Sequence, residues 1–180
     1  MLQITIPAEE KWDEVKEEFV YNKEQVLQLE HSLVSLSKWE SRWKKSFLFT
    51  KDKTYEEILD YIKCMTLTKN VKPDVYTRIT RSNMSEIDRY INDSMTATTF
   101  HEEKGRPGSR EIITAELIYY WMVALNIPFE CQKWHLNRLL TLIRVCNIKN
   151  SPPKKHSKSD IASRNAKLNA ARRKQLNSKG

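Results

Sequence analysis

Glycine is scarce in this chain, which has only three glycines among 180 residues. Loops that cradle phosphate groups need several closely spaced glycines, because the backbone itself must approach the ligand. Inside the chain, only Gly105 and Gly108 are available, separated by an Arg-Pro step. The sequence therefore excludes the glycine-rich nucleotide-binding loops.

Cysteine pairs and long apolar runs are also absent. Cys64, Cys131 and Cys146 form an odd set with no regular spacing, whereas a small secreted domain held by disulfides has an even set. No stretch approaches the roughly 18 apolar residues of a transmembrane helix, and residues 1–7 are too few and too polar for a signal peptide. We expect a reduced, soluble protein of the cytoplasm with no membrane partner.

The net charge of +8 is unevenly distributed. Residues 148–180 contain ten basic residues and one acidic residue, so this segment carries +9 and residues 1–147 carry −1. A nearly neutral body argues against a folded basic face that binds nucleic acid. Three interpretations of the basic tail stay open: a solvated tail, an arm that binds nucleic acid, or a segment that folds onto a protein partner.

Strand patterns are confined to the first 34 residues. Residues 3–6 alternate polar and apolar side chains before Pro7, which predicts a short strand. Residues 19–34 alternate more loosely and predict a second strand or a hairpin. A helix over residues 9–21 is the alternative.

Helical signatures follow from residue 35 onward. Capping boxes are predicted at Ser37 with Glu40, Thr54 with Glu57, and Asn83 with Glu86, and Pro73 is expected at the first position of a short helix. Behind these caps, the inward stripes are predicted to contain Leu36, Trp39, Trp43, Tyr55, Ile58, Leu59, Ile62, Val75, Ile79, Ile87, Tyr90 and Ile91.

The two most apolar helices are predicted on either side of Pro128. The first is expected to be capped by Ser109 and to turn Ile113, Leu117, Tyr120, Trp121, Ala124 and Leu125 inward. The second is expected to contain Trp134, Leu136, Leu140, Ile143 and Cys146. Because about four residues would join them, we expect an antiparallel pair at the centre of the core.

The predicted fold is mainly α: a compact helical domain with a small N-terminal β element and a basic C-terminal tail that is helical or disordered. The expected divisions are an N-terminal β element over 1–34, a helical core over 35–150 and the tail over 151–180, with Pro152 and Pro153 ending the globule. A long polar loop is expected over 94–109. Ser157 or Ser159 would cap a tail helix that runs to Lys174.

Catalytic and metal-binding patterns are weak. Cys131 and His135 have a spacing that metals use on one helix, but the second pair of ligands that a structural zinc site needs is missing. His31 beside Ser32, and His101 beside Glu102, are adjacent in sequence, which does not establish catalytic geometry. We expect a protein that is not an enzyme, with no catalytic, cofactor-binding or metal-binding residues.

Trp39 and Trp43 lie one helical turn apart, among Arg42, Lys44 and Lys45. This pattern is compatible with a platform on which bases of single-stranded nucleic acid stack. The same spacing more simply predicts a core stripe with a basic outer face, and we favour the core.

Four blocks of sequence resemble tail assembly chaperones of long-tailed, siphovirus-type bacteriophages. They are LEHSLVSLSKWESRWKK at residues 29–45, DYIKCMT at 60–66, WHLNRLLTLI at 134–143 and SRNAKLNAARR at 163–173. The resemblance implies a non-catalytic helper in the host cytoplasm that binds the tape measure protein and helps to recruit the major tail protein of the tube. It also implies a longer, frameshifted form of the same chain as a partner, and absence from finished particles.

The candidate contact regions for such a partner are the loop over 94–109 and the segment after Pro153. The candidate partner-binding residues are Trp39, Trp43, Arg106, Lys154, Lys155, Arg164, Arg172 and Arg173. Two other functions remain as alternatives: a small nucleic-acid-binding protein that uses the basic arm, and a structural tail or neck component of the virion. Whether the chain forms a homo-oligomer also stays open.

Overall fold

The computed structural model describes residues 1–14, 17–100, 111–151 and 158–177. Its helical content is 55%, and the described residues form seven α-helices, one 3-10 helix and four short strands. The mainly helical fold with an N-terminal β element is therefore confirmed. The chain divides into two compact units, Met1–Asn147 and Ile148–Gly180.

The predicted first strand is present as β1, Leu2–Ile6, and it pairs with β4, Gln25–Leu29. The two strands are antiparallel, with Leu2 opposite Leu29 and Ile6 opposite Gln25. Because side chains alternate along a strand, one face of this sheet carries the buried apolar residues. These are Ile4, Ile6, Leu27 and Leu29.

In the sequence between β1 and β4, a hairpin forms a separate two-stranded sheet from β2, Glu9–Asp13, and β3, Glu18–Asn22. The alternative prediction of a helix over residues 9–21 is therefore wrong. The strands are antiparallel, and Trp12 lies opposite Phe19 with ring centroids 4.9 Å apart. This cross-strand aromatic contact stabilises the hairpin.

Helix α1, Leu33–Trp43, begins earlier than predicted, and the cap predicted at Ser37 is wrong. The Ser32 hydroxyl accepts a hydrogen bond from the Ser35 amide at 3.3 Å, and the Ser35 hydroxyl accepts one from the Ser32 amide at 2.9 Å. The earlier start brings Leu33 into the buried face of the helix. Burial of that residue favours the upstream serine as the cap.

The next caps are partly as predicted. Helix α2, Tyr55–Met65, has the predicted capping box of Thr54 and Glu57, and helix α3, Pro73–Thr77, has proline at its start. Helix α4, Arg81–Asn92, is instead capped by Thr80, and Asn83 is the third helical residue that completes the box. Tyr55, predicted to point inward, is 59% exposed because it lies at the first turn of α2, outside the packed stripe.

Helix α5, Ala115–Ala124, is capped by Thr114, so the cap predicted at Ser109 is wrong. Its fully buried residues are Ala115, Ile118 and Met122, whereas Tyr120, predicted to point inward, is 65% exposed. The helix is apolar around most of its circumference, so spacing alone does not select a face. Packing against α1 selects it.

The connection after α5 is longer than predicted. Residues 125–135 separate α5 from α6, Leu136–Asn150, and they include a 3-10 helix, Phe129–Lys133. Trp134 therefore lies outside α6. A further helix, α7, spans Lys158–Leu176, which is the helical one of the two states expected for the tail. Residues 94–100 contain no helix or strand, and the rest of the expected polar loop lies outside the described residues.

The core has two centres, where the sequence predicted one around α5 and α6. The first cluster joins the β1–β4 sheet to Trp39 and to the inward faces of α2, α3 and α4. The second joins α1, α5, the 3-10 helix and α6. Helix α1 contributes to both clusters, and α2 and α4 approach each other at the side of the first.

Candidate partner-binding site

A groove with a volume of about 500 Å³ opens between α2, α4 and the segment that links α1 to α2. We call it the α2–α4 groove. Eight of its twelve lining residues are apolar or aromatic: Phe47, Leu48, Ile58, Tyr61, Ile62, Met84, Ile87 and Ile91. The remaining four are Lys51, Lys53, Asp88 and Asn92. The volume lies within the range of about 300–1,000 Å³ that is usual for ligand-binding pockets.

Two helical stripes form the walls of this groove. Ile58 and Ile62 are four residues apart on α2, and Met84, Ile87 and Ile91 follow the three-and-four spacing of one face of α4. Ile62 and Ile87 form a buried floor, with 1% and 3% of their surface exposed. The other three are half-buried, so they offer apolar surface at the opening.

The third wall is the segment that follows α1, and buried contacts hold it in place. Phe47 stacks on Tyr61 with centroids 3.7 Å apart and meets the edge of Trp39 at 5.1 Å. The Phe47 amide donates to the Glu40 carboxylate at 2.9 Å, and that carboxylate also accepts from the Ala115 amide at 2.7 Å. One buried glutamate therefore ties this wall to the start of α5.

Charge at the groove is mainly positive. Lys51 is exposed, and the Lys53 ammonium lies 4.4 Å from the centre of the Phe47 ring. The same ammonium donates to the Thr50 carbonyl, and its burial lowers the pKa of Lys53. Asp88 is the acidic residue of the lining. The groove thus combines an apolar floor with two lysines in the segment that links α1 to α2.

The two tryptophans predicted to contact a partner lie next to this wall. Trp39 is completely buried and donates from its indole nitrogen to the Glu57 carbonyl at 2.8 Å. Trp43 is half-buried, stacks on Trp39 at 6.2 Å and donates to the Asp60 carboxylate at 3.0 Å. Trp39 is therefore a core residue, as its spacing predicts, and its ring is not accessible to a base or a partner.

The predicted basic contact residues belong to the other unit or lie outside the described residues. Arg164, Arg172 and Arg173 are exposed on α7. Arg106, Lys154 and Lys155 lie outside the described residues. The structure thus brings Trp39 and Trp43 together in Met1–Asn147 and places three arginines on one helix of Ile148–Gly180.

The sequence did not predict a buried polar cluster around His31. His31 Nδ1 shares a hydrogen bond of 2.5 Å with the Tyr61 hydroxyl, and its ring lies 5.1 Å from the ring of His135. Burial, with a smaller contribution from His135, lowers the pKa of His31 to about 3. His31 is therefore neutral in the folded protein above about pH 3.

His135 has a structural role in this cluster. Its Nδ1 accepts a hydrogen bond from the Asn137 amide at 3.3 Å, so Nε2 carries the proton and donates to the Tyr90 carbonyl at 2.9 Å. Cys131 lies in the 3-10 helix and His135 precedes α6, so the two do not share one helix face as predicted. Among the described residues, no group of three His, Cys, Asp or Glu side chains is arranged to hold a metal.

No protein-family model, curated protein or solved structure matches this chain. In the part of the chain that the structure describes, no helix is both long enough and apolar enough to cross a membrane. Two surfaces of the described residues support the functional hypotheses that follow: the α2–α4 groove and the exposed basic helix α7.

Proposed function

We propose that this chain is a non-catalytic tail assembly chaperone of a long-tailed bacteriophage, which binds the tape measure protein and helps to recruit tail tube subunits in the host cytoplasm. The observation that carries the proposal is the α2–α4 groove, which has a floor of buried apolar residues and half-buried apolar residues at its opening. The resemblance of four sequence blocks to such chaperones supplies the identity of the partner.

A groove between two helices is suited to a helical ligand. An amphipathic helix places side chains three, four and seven residues apart into such a groove, and its backbone needs no new hydrogen bonds. Helix α2 has 11 residues, which corresponds to about 16 Å at 1.5 Å per residue. The groove therefore has room for about three turns of a tape measure helix, whose exposed apolar residues would otherwise promote aggregation.

The lysines at the groove affect the association rate of the partner more than its affinity. Lys51 and Lys53 lie in the segment of the lining that links α1 to α2, and charges at the edge of an interface mainly change the association rate and its salt dependence. We expect binding of the tape measure protein to persist at high salt, because the apolar contacts carry most of the free energy of binding.

A pair of variants tests the groove. Ile91→Glu places a carboxylate in the groove, and Val123→Glu places the same side chain on α5 at a residue that is 59% exposed. Each tagged full-length variant is captured from infected cells before lysis, and the co-purifying proteins are identified by mass spectrometry. Circular dichroism confirms that both variants are folded.

We expect the tape measure protein to co-purify with the wild type and with Val123→Glu in high salt, and to be lost with Ile91→Glu. Equal recovery with both variants would contradict the groove as the binding site. Mature particles are analysed in parallel, since a structural tail or neck component would be found in them and a chaperone would not.

Nucleic-acid binding is the second candidate function, and the exposure of α7 favours it. The described side chains of α7 are all exposed, and they include Arg164, Lys167, Arg172, Arg173 and Lys174. If six or more basic residues contact phosphates, a rise in salt from 50 to 200 mM would weaken binding about 10³-fold. Nucleic acid that co-purifies and is released by salt would support this function in place of the chaperone.

A further inference from the structure

The β2–β3 hairpin exposes three aromatic side chains on one face. Trp12 lies opposite Phe19, and Tyr21 follows Phe19 by two residues, so all three point to the same side. Their exposed fractions are 46%, 65% and 64% respectively. We call this surface the aromatic face of the hairpin.

The hairpin is also acidic. Residues 9–22 contain six acidic and two basic residues, a net charge of −4. A two-stranded hairpin on its own is marginally stable in water, and large exposed apolar groups that lie together indicate a binding surface. The composition favours a basic ligand that also has apolar side chains.

Helix α7 has these two properties. Residues 158–177 contain six basic residues and one acidic residue, a net charge of +5. Successive spacings of three, four, four and four residues place five side chains along one side of the helix. They alternate between apolar and basic: Ile161, Arg164, Leu168, Arg172 and Leu176.

This alternation explains why α7 lacks a continuous apolar stripe. Arginines interrupt the apolar residues on the same side of the helix, and Ile161, Leu168 and Leu176 are 49%, 47% and 76% exposed. A helix such as α7, whose described side chains are all exposed, is marginal in water on its own. We call the side that carries these five residues the mixed face of α7.

We propose that the mixed face of α7 in one copy of this chain binds the aromatic face of the hairpin in a second copy. The net charges of the two elements, +5 on α7 and −4 on the hairpin, are opposite and attract them to each other. The guanidinium groups of Arg164 and Arg172 can stack on aromatic rings, an interaction that arginine makes better than lysine. The leucines of the mixed face then cover the remaining ring surface.

The two surfaces also match in length. Each hairpin strand has five residues, which corresponds to about 17 Å at 3.4 Å per residue. The stretch from Ile161 to Arg172 covers a similar distance, about 17 Å at 1.5 Å per residue. Four of the five residues of the mixed face, from Ile161 to Arg172, can therefore lie along one hairpin, and Leu176 extends beyond it.

The contact joins two different surfaces, so it is heterologous. Each copy offers one hairpin and one α7, and such a contact builds either a closed ring or an open chain of copies. The proposal uses neither the α2–α4 groove nor the tape measure protein. It can therefore fail or hold independently of the chaperone proposal.

Sedimentation velocity of the full-length protein tests the association. Samples are treated with nuclease first, because nucleic acid bound to α7 would bridge copies. We expect concentration-dependent association that weakens from 0.1 to 1 M salt, over which the Debye length falls from about 10 to about 3 Å. A chain that stays monomeric at low salt, or that associates only before nuclease treatment, would overturn the proposal.

Two charge-reversed variants of α7 test the face. Arg164→Glu with Arg172→Glu changes the mixed face, whereas Arg173→Glu with Lys174→Glu makes the same change of net charge elsewhere on the helix. We expect the first double variant to dissociate at least about tenfold more readily than the second, the equivalent of about 1.4 kcal/mol. Equal effects of both would show that only net charge matters and would refute the mixed face.

Mixing complementary variants tests that the contact joins two copies. Phe19→Thr with Tyr21→Thr removes two rings and keeps residues that favour strands. Alone, this variant and Arg164→Glu with Arg172→Glu are expected to be monomeric; together they should form a dimer through the one intact surface of each. A mixture that stays monomeric would overturn the proposal, and circular dichroism confirms that both variants are folded.

Discussion

Acid should destabilise this protein through His31. The side chain is 1% exposed and its pKa in the folded state is about 3, whereas the ordinary value is 6.5. Between about pH 6.5 and pH 3, His31 is therefore protonated in the unfolded chain and neutral in the folded protein. This group does not lower the free energy of unfolding above pH 6.5, and it lowers it progressively as the pH falls from 6.5 towards 3.

The size of the effect follows from the difference in pKa. Each unit of pH below 6.5 costs about 1.36 kcal/mol until the folded-state pKa is reached. At pH 4.5, two units below the unfolded value, the loss from His31 is about 2.7 kcal/mol. That is a large part of the 5–15 kcal/mol that is typical for the unfolding of a domain.

Urea unfolding followed by circular dichroism measures this loss at pH 7.5 and pH 4.5. Other groups titrate over the same range, so the wild type is compared with His31→Gln, whose side chain does not titrate and keeps a polar amide that can hydrogen-bond with the Tyr61 hydroxyl. We expect the wild type to lose about 2.7 kcal/mol more than His31→Gln between the two values. The same loss in both proteins would refute the assignment of a buried, neutral His31.

Two further predictions concern buried backbone groups and helix caps. Glu40→Ala removes the acceptor of the Phe47 and Ala115 amides. Leaving one buried and one half-buried donor without a partner should cost about 2–5 kcal/mol in urea unfolding. A loss below about 1 kcal/mol would contradict the role of this carboxylate in joining the groove wall to α5. Thr54→Ala removes the cap of α2 and should cost about 1 kcal/mol, whereas Ser37→Ala, inside α1, should change stability by less than about 0.5 kcal/mol. The opposite order in thermal or urea unfolding would show that Ser37 caps α1 after all.

The groove and the hairpin illustrate how far the candidate sites were predictable. The stripes Ile58–Ile62 and Ile87–Ile91 were evident as helical faces and were predicted to be core. They lie about 30 residues apart, and only the fold brings them together with Phe47 to form an opening. The sequence did not predict that the aromatic residues of the hairpin are exposed, because a strand pattern does not indicate which face of a sheet another element covers.

The sequence by itself determined the features that depend on neighbours three or four residues away. The capping box of Thr54 and Glu57 and the position of Pro73 at the start of α3 need only local hydrogen bonds and a fixed backbone angle, so they form in the predicted places. The concentration of positive charge after residue 147 is likewise independent of folding.

Only the tertiary structure decided which of several equivalent local choices is used. Ser32 and Ser37 are both suitable caps, and burial of Leu33 selects Ser32. Helix α5 is apolar on most sides, and packing against α1 selects Ala115, Ile118 and Met122 as its buried face. The low pKa of His31 arises from the same cause, since desolvation depends on elements that are remote in sequence and enclose the side chain only after folding.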